Sequence, residues 1–290
     1  MGTNLVLARV GANSLHPAWY EGDGGRDWDL RLVPYQPLPE AAHVGCEVGE
    51  IVPGPKWTGL RKALHAWDGW RDYDYIWLPD DDILATQESI NRMFEIARTL
   101  GLDLFAPALD RTSYFAHFST MRNVSFYGRY VGFVEIMVPG FSRRALEKLL
   151  FTLDLSETGW GWGLDSVWPS LLEYRNVAVL DGVTVQHTRP VGEMRDLRLR
   201  QRVLAESERL LSTFSCHQRH VTFAAFGEDL KRLDLSPEGL LAELTRGWEY
   251  LIDQDPRILA WIAQFQLSAL PSQEYPVQGT PDRGRVREPC

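Results

Sequence analysis

The segment YIWLPDDD, residues 75–82, joins four apolar residues to a proline and three consecutive aspartates. Four apolar residues ended by a proline predict a short buried strand. Three carboxylates cannot be buried without counter-charge, because each unpaired carboxylate taken from water costs several kcal/mol. In an open α/β sheet, ligands collect beyond the carboxyl ends of the strands. We therefore expect Asp80, Asp81 and Asp82 to lie at such an edge, beside a positive charge.

Strand and helix patterns alternate on both sides of this segment. Strands are predicted at 4–10, 28–33, 75–78, 103–108, 130–138, 177–180 and 183–187. Helices are predicted from Trp57, from Thr86 as N-cap to Gly101, after Ser142 as N-cap, and around 167–172. Lys56 falls at or just before the first of these helices. The alternation predicts an α/β fold.

Composition limits the partners and the compartment. The 290 residues include 30 Lys and Arg against 39 Asp and Glu, a formal net charge of −9, which argues against binding of nucleic acid or of an anionic membrane. Cys46, Cys216 and Cys290 lie far apart without a Cys/His ligand spacing, so neither a disulfide framework nor a zinc site is predicted. No run approaches the roughly 20 apolar residues of a transmembrane segment. A cytoplasmic protein is the expectation.

The pattern changes along the chain. Residues 1–194 carry the strand and helix alternation, and residues 195–270 show helical stripes alone, with Ser236-Pro237 opening one helix. Residues 271–290 are rich in proline, glycine and charge and are predicted to be a disordered tail. We expect an α/β domain, a C-terminal helical extension and a tail.

The aspartate triplet and His187 are candidate metal ligands. Carboxylates one residue apart can face the same way, and their oxygens suit Mg²⁺ or Mn²⁺. The alternative is a solvated acidic turn. His187 ends the last predicted strand, where it could complete the metal shell, and Arg189 beside it could hold phosphate. For the arginines of 198–202 a solvated helix face is the favoured interpretation.

Two further features could contact a substrate. The loop of residues 158–165 combines three glycines, two tryptophans able to stack on a sugar, and Asp165 at its end. Asp165 could be a general base or the N-cap of the next helix. Glu135 is the charged residue of the predicted strand 130–138, so it is either paired or near a ligand with a raised pKa. The long polar segment 110–129 is either a lid or part of a site.

Several separated motifs resemble one family. They are VLARVGANSLH (6–16), GPKWTGL (54–60), IWLPDDDI (76–83), FVEIMVPGFSRRALEKLL (133–150), GWGLDSVWPSLL (161–172) and VQHTRPVG (185–192). In this order they look like the DUF707 family, and the match covers roughly residues 4–194. The DUF707 pattern is similar to glycosyltransferases of the GT-A fold. The resemblance implies a GT-A-like, Rossmann-type α/β/α sandwich that takes a nucleotide-sugar donor and a divalent metal, Mn²⁺ or Mg²⁺.

The resemblance also implies roles for individual residues. The triplet looks like a DxD motif in which Asp82 binds metal and Asp80 contacts metal or ribose, and His187 resembles the late histidine of the metal shell. Asp165 falls on the position of the base. Arg9, Lys56, Asp80, Asp81 and Arg189 would lie at the nucleotide and diphosphate, and Glu135, Trp160, Trp162 and Gly163 would contact the substrate.

The predicted function is therefore transfer of a sugar from a nucleoside diphosphate sugar, UDP-sugar by default, to the hydroxyl of a carbohydrate or other acceptor. Attack from opposite the leaving group would invert the configuration, and retention stays open. Two alternatives stay open. A metal-dependent nucleotidyltransferase would use the same aspartates but release pyrophosphate. A carbohydrate- or nucleotide-binding module would bind through the tryptophan loop without turnover.

Overall fold

A computed structural model describes residues 3–22, 24–39, 45–191, 194 and 196–269. The strands are β1 Asn4–Val10, β2 Trp28–Pro34, β3 Glu47–Val48, β4 Tyr75–Trp77, β5 Ile83–Leu84, β6 Leu104–Leu109, β7 Gly128–Val131, β8 Gly140–Ser142, β9 Val177–His187 and β10 Thr222–Phe226. The helices are α1 Lys56–Ala66, α2 Gln87–Leu100, α3 Arg143–Leu149, α4 Phe151–Asp154, α5 Leu164–Leu171, α6 Leu197–Thr213, α7 Pro237–Gly247, α8 Glu249–Ile252 and α9 Arg257–Ala269.

One mixed sheet forms the centre of the molecule, in the order β10-β7-β9-β6-β8-β4-β1-β2-β3. β1 runs parallel to β2 and β4, and β6 runs parallel to β9. β8 is antiparallel to both β4 and β6, so β1, β4, β6 and β9 all point the same way. Helix α1 packs on β1 and β2, α2 on β9, and α3 on β8. The predicted α/β class is confirmed, and the carboxyl ends of β1, β4 and β9 meet at one edge.

The helix boundaries follow local signals. Helix α1 begins at Lys56, as predicted. Thr86 caps α2 in a capping box with Ser89, and Gly101 ends that helix in the left-handed conformation with φ 61°. The side chain of Ser142 accepts a hydrogen bond from the backbone of Ala145 at the start of α3. These boundaries agree with the sequence prediction because each depends on side chains adjacent in the chain.

The predicted strand 130–138 is wrong beyond its first residues, because β7 covers only Gly128–Val131. A side chain at Gly132 would lie 2.7 Å from the carbonyl oxygen of Arg219, so the position directly after β7 requires glycine. Residues 133–139 instead run beside the end of β4, where the amide of Asp80 donates to the carbonyl of Met137 at 2.9 Å. Glu135 therefore lies in a loop at the functional edge of the sheet.

The last two predicted strands form one strand, β9. Its register against β6 shifts between Pro107, which pairs with Leu180, and Ala108, which pairs with Thr184. This is a β-bulge, and Gly182 within it donates to the carbonyl of Tyr127 at 2.7 Å. The break between the two predicted strands is this bulge.

The sequence predicted helices alone after residue 195, and this prediction is wrong because that part of the chain also contains β10. β10 pairs antiparallel with β7 and forms an edge of the sheet. Five residues of which two are alanine give a weak strand signal, and the pairing is decided by contacts distant in sequence. The division at 194/195 stays a prediction, and the predicted tail at 271–290 lies outside the described residues. Among the residues that are described, no helix is both long and apolar enough to cross a membrane.

The middle part of the segment 110–129 is buried and does not form a lid. Residues 118–121 and Asn123 are buried. Asn123 donates from Nδ2 to the carbonyl of Leu244 at 3.0 Å, and Trp248 donates from Nε1 to that of Met121 at 3.0 Å. Helices α7 and α8 therefore cover this segment.

A stacked histidine pair joins that segment to β10. The rings of His117 and His220 lie 4.9 Å apart, and burial lowers the pKa of His117 to about 4 and that of His220 to about 3. The unfolded chain therefore takes up protons first, below about pH 6.5, so stability falls as pH decreases from there toward 4, by up to about 1.4 kcal/mol per pH unit for each proton. We expect urea denaturation between pH 7 and 4.5 to show this slope and His117→Phe to reduce it. An equal slope in the variant would contradict the assignment.

Candidate active site

A cavity of about 530 Å³ opens where the carboxyl ends of β1, β4 and β9 meet. Nine of the predicted site residues line it: Arg9, Lys56, Asp80, Asp81, Asp82, Glu135, Trp160, Trp162 and His187. Gly163, Asp165 and Arg189 were also predicted but do not line it. Six lining residues were not predicted as site residues and complete the wall with others: Tyr35, Gly54, Pro55, Met137, Pro190 and Met194.

Asp80 is paired with Lys56 at the floor of the cavity. The Lys56 ammonium lies 2.8 Å from Asp80 Oδ1 and donates to the carbonyls of Ile136 and Met137 at 2.8 and 2.7 Å. Burial lowers the pKa of Lys56 and raises that of Asp80, while the charge of each partner opposes the shift. Lys56 therefore supplies the positive charge expected beside the acidic triplet. Because the Asp80 carboxylate is paired with Lys56, it is less available to bind a metal.

Asp81 joins three segments of the cavity wall. Its Oδ2 accepts hydrogen bonds from the hydroxyl of Tyr35 and the amide of Gly11, both at 2.9 Å. Its Oδ1 lies 3.2 Å from Nη1 of Arg189, which also donates from Nη2 to the carbonyl of Asn13 at 2.6 Å. Both Asp81 oxygens are thus engaged by the protein, and Arg189 holds the rim together from outside the cavity.

Asp82 and His187 form the pair best arranged for a cation. His187 Nε2 lies 3.4 Å from Asp82 Oδ2, and Nδ1 donates to the carbonyl of Tyr114 at 2.7 Å. With Nδ1 protonated, Nε2 presents a lone pair in the neutral imidazole. The other oxygen, Asp82 Oδ1, is buried without a hydrogen-bond partner. A buried carboxylate oxygen without a donor is a position where a bound cation would satisfy it.

Asp82 and His187 each stabilise the charged form of the other. Burial would raise the pKa of Asp82, but the hydrogen bond and charge of His187 lower it below its ordinary range. Burial would lower the pKa of His187, but the hydrogen bonds to Asp82 and to the carbonyl of Tyr114 raise it. A divalent cation at this position would take over the role of the imidazolium charge.

The Asp82–His187 pair fits a divalent cation. Two atoms bound to one such ion at about 2.1 Å each lie roughly 3 Å or slightly more apart, which matches the 3.4 Å between Asp82 Oδ2 and His187 Nε2. Within the described parts of the chain, no group of three or more His, Cys, Asp or Glu side chains is placed to hold a metal. Asp80 is paired with Lys56, so its role as a metal ligand stays a prediction, and further ligands would come from the substrate or water.

Glu135 and Asp165 are two buried carboxyl groups near one another. Glu135 lines the cavity, and burial, with the charges of Asp165 and Asp80, raises its pKa to about 8. Burial raises the pKa of Asp165 to about 7, and its Oδ1 accepts from the hydroxyl of Ser166 at 3.1 Å. Asp165 is not the N-cap of α5, because that position is Gly163. Of the two carboxyl groups, only that of Glu135 belongs to the cavity wall.

The loop of residues 158–165, here called the tryptophan loop, forms part of the cavity wall. Trp160 is 39% exposed and Trp162 is partly buried, and both line the cavity. Gly159 and Gly161 have φ of 72° and 77°, a conformation that favours glycine. A side chain on either would collide with α1, at Thr58 Oγ1 or at Trp57. The glycines thus allow the loop to lie directly on the first turn of α1.

Arg9 is held by backbone carbonyls. Its Nη1 donates to Val33 and Pro34 at 3.0 and 2.7 Å, and its Nη2 donates to Gly54 at 2.9 Å and to Val52. Burial lowers its pKa to about 10. The guanidinium therefore ties β2 to the segment before α1. Arg9 also lines the cavity, and its contact with a nucleotide stays a prediction.

No protein-family model matches the chain, and no curated protein matches it. Among solved structures the chain is similar to S. aureus TarS 1–349 in complex with UDP-GlcNAc, with 11% identity and a TM-score of 0.48, over 74% of this chain and 72% of that chain. It is also similar to A197 from STIV, with 13% identity and a TM-score of 0.39, over 65% of this chain and 86% of that chain. These likenesses are distant, so the function of this chain has to be inferred from its own residues.

Proposed function

We propose that the chain is a metal-dependent glycosyltransferase of the GT-A type that uses a nucleoside diphosphate sugar, UDP-sugar by default. The observation that carries the proposal is the cavity itself. It combines the Asp82–His187 pair, a buried carboxyl at Glu135 and exposed aromatic surface at Trp160. The pair would hold a cation for the diphosphate, the carboxyl would accept a proton from a hydroxyl, and the ring would stack on a sugar face.

Asp82 and His187 would hold Mn²⁺ or Mg²⁺. When bound, the metal supplies Lewis-acid stabilisation of the diphosphate leaving group. Lys56 contributes a fixed positive charge beside the same position, and its pairing with Asp80 keeps it in place. Asp81 orients the hydroxyl of Tyr35 and the amide of Gly11 at the β1 end of the cavity, where a nucleoside would lie.

Glu135 is the proposed proton acceptor, in place of Asp165, the residue implied by the DUF707 resemblance. A general base works best when its pKa is near the working pH, and the pKa of Glu135 is raised to about 8. Asp165 stands behind it, and its charge helps to raise that pKa. The carboxylate of Glu135 removes the proton of the acceptor hydroxyl as that oxygen attacks the anomeric carbon. The bond from that carbon to the diphosphate oxygen breaks at the same time, and the nucleoside diphosphate leaves from the opposite side. A single direct displacement of this kind inverts the configuration.

Ligand-dependent thermal denaturation tests the proposal. We expect one of UDP, GDP, CDP or dTDP, or the matching sugar donor, to raise Tm only with Mn²⁺. A ligand at about 100 times its Kd adds roughly 2.7 kcal/mol to the free energy of unfolding. Asp82→Ala should abolish the shift, and Glu88→Ala, which changes an exposed carboxylate of α2, should keep it. No shift in the folded wild type with any of these ligands would refute the donor site. Release of pyrophosphate from a nucleoside triphosphate, with no release of nucleoside diphosphate from any nucleotide sugar, would refute sugar transfer.

A further inference from the structure

Glu206 on α6 is a buried carboxylate that lies outside the cavity and is only 5% exposed. Its Oε1 accepts hydrogen bonds from the hydroxyls of Ser156 and Thr158 at 2.8 and 2.9 Å. Its Oε2 accepts one from the amide of Thr158 at 2.7 Å. A carboxylate in such a place is costly unless it is fully hydrogen-bonded, and three donors from one short segment supply that.

The same donors organise the backbone of the tryptophan loop. The hydroxyl oxygen of Ser156 accepts from the amide of Gly161 at 3.2 Å, and that of Thr158 accepts from the amide of Trp160 at 3.3 Å. One side chain on α6 thus sets, directly or through one hydroxyl, three amides of residues 156–161. These residues carry Trp160 into the cavity wall.

The loop is held between α6 and α1. Its Gly159 carbonyl accepts from the amide of Trp57 at 3.1 Å, next to Lys56. On the other side, a side chain on Gly163 would lie 3.1 Å from Ser207 Oγ, in α6. A continuous set of contacts therefore runs from Glu206 through the loop to the Lys56–Asp80 pair.

We propose that Glu206 is a positioning residue, which fixes the tryptophan wall so that it contacts the sugar of the donor. The inference rests on the proposed function. It gives α6 the role of holding the loop that carries Trp160. Glu206 does not touch the cavity, so its effect passes through the loop. The nucleoside diphosphate part of the donor, which binds at Asp82 and Tyr35, does not depend on it.

Hydrogen exchange and ligand binding together test this inference. Gln at position 206 cannot accept hydrogen bonds at both terminal atoms, so in Glu206→Gln we expect amide exchange of peptides covering 156–163 to quicken by about 10-fold or more. Affinity for the nucleotide sugar that gives the largest thermal shift should fall by about 10-fold, and affinity for the corresponding nucleoside diphosphate should stay within two-fold. Glu208→Gln, an exposed carboxylate on the same helix, should change neither.

The possible outcomes separate the two proposals. Unchanged exchange in Glu206→Gln, or quicker exchange with unchanged sugar affinity, would overturn the positioning role. Equal losses for the sugar donor and the nucleoside diphosphate would also overturn it, because they indicate general damage to the site. Failure of the wild type to bind any nucleotide refutes the proposed function instead, whatever the exchange shows. If Glu206→Gln does not fold, Thr158→Val removes one of the three hydrogen bonds to Glu206, together with the acceptor of the Trp160 amide, and should produce the same selective loss.

Discussion

Glu135→Gln is expected to lower the rate of sugar transfer by about 10²–10⁴-fold while nucleotide affinity stays within a few-fold, because general-base catalysis contributes on that order. Gln is close to Glu in size but cannot accept a proton. Glu135 lines the cavity, and no cation ligand proposed for the site is adjacent to it in sequence. The measurement is nucleoside diphosphate release, with donor binding followed in parallel.

The pH profile gives an independent check on the same residue. A base with its pKa raised to about 8 is protonated and inactive at low pH, so kcat/KM should rise with pH and level off above 8. The charge of Asp165 contributes to that raised pKa. Asp165→Asn should therefore move the rise to lower pH and cost less than 10-fold in the plateau rate. Transfer that survives Glu135→Gln but is lost in Asp165→Asn would assign the base to Asp165.

The sequence was sufficient for features that depend on neighbours in the chain. The end of β4 ahead of Pro79, the cap of α2 at Thr86 and the start of α1 at Lys56 each follow from a few adjacent residues. The position of the acidic triplet at the functional edge follows from the strand before it and from the topology of α/β sheets. Asp82, Glu135 and His187 line one cavity. They could be predicted as site residues because each follows or interrupts an apolar run in the sequence.

The parts that could not be predicted depend on partners distant in sequence. Nothing near Asp81 indicates that its carboxylate is taken by Tyr35 and Arg189. Nothing near Glu206 indicates that it is buried against Thr158, because on α6 it is one charged residue among several. The same holds for β10, whose strand conformation is fixed by pairing with β7 rather than by its own residues.

The largest effect on stability is expected from Asp181→Ala. Arg129 and Asp181 are wholly buried and joined by two hydrogen bonds, from Nε at 2.8 Å and from Nη2 at 3.0 Å. Removing one partner of such a pair costs about 3–5 kcal/mol, because the other charge is left buried and uncompensated. Urea denaturation should show this loss, with a decrease in Tm of roughly 6–20 °C. Asp229→Ala, which removes the exposed ion pair with Lys231, should cost less than about 1 kcal/mol.

A second variant separates lost attraction from unpaired charge. Arg129→Met combined with Asp181→Leu leaves no ion, so it should be more stable than Asp181→Ala alone, and equal losses would contradict the explanation.

The Arg129–Asp181 pair also tests the predicted division into domains at 194/195. Arg129 donates to the carbonyls of Ser119 and Met121, and Trp248 of the C-terminal part lies over its guanidinium at 4.7 Å. Since these contacts join the sheet to residues after 195, Asp181→Ala should unfold in one transition at lower urea. Two separate transitions would show that residues 1–194 and 195–270 are independently stable domains.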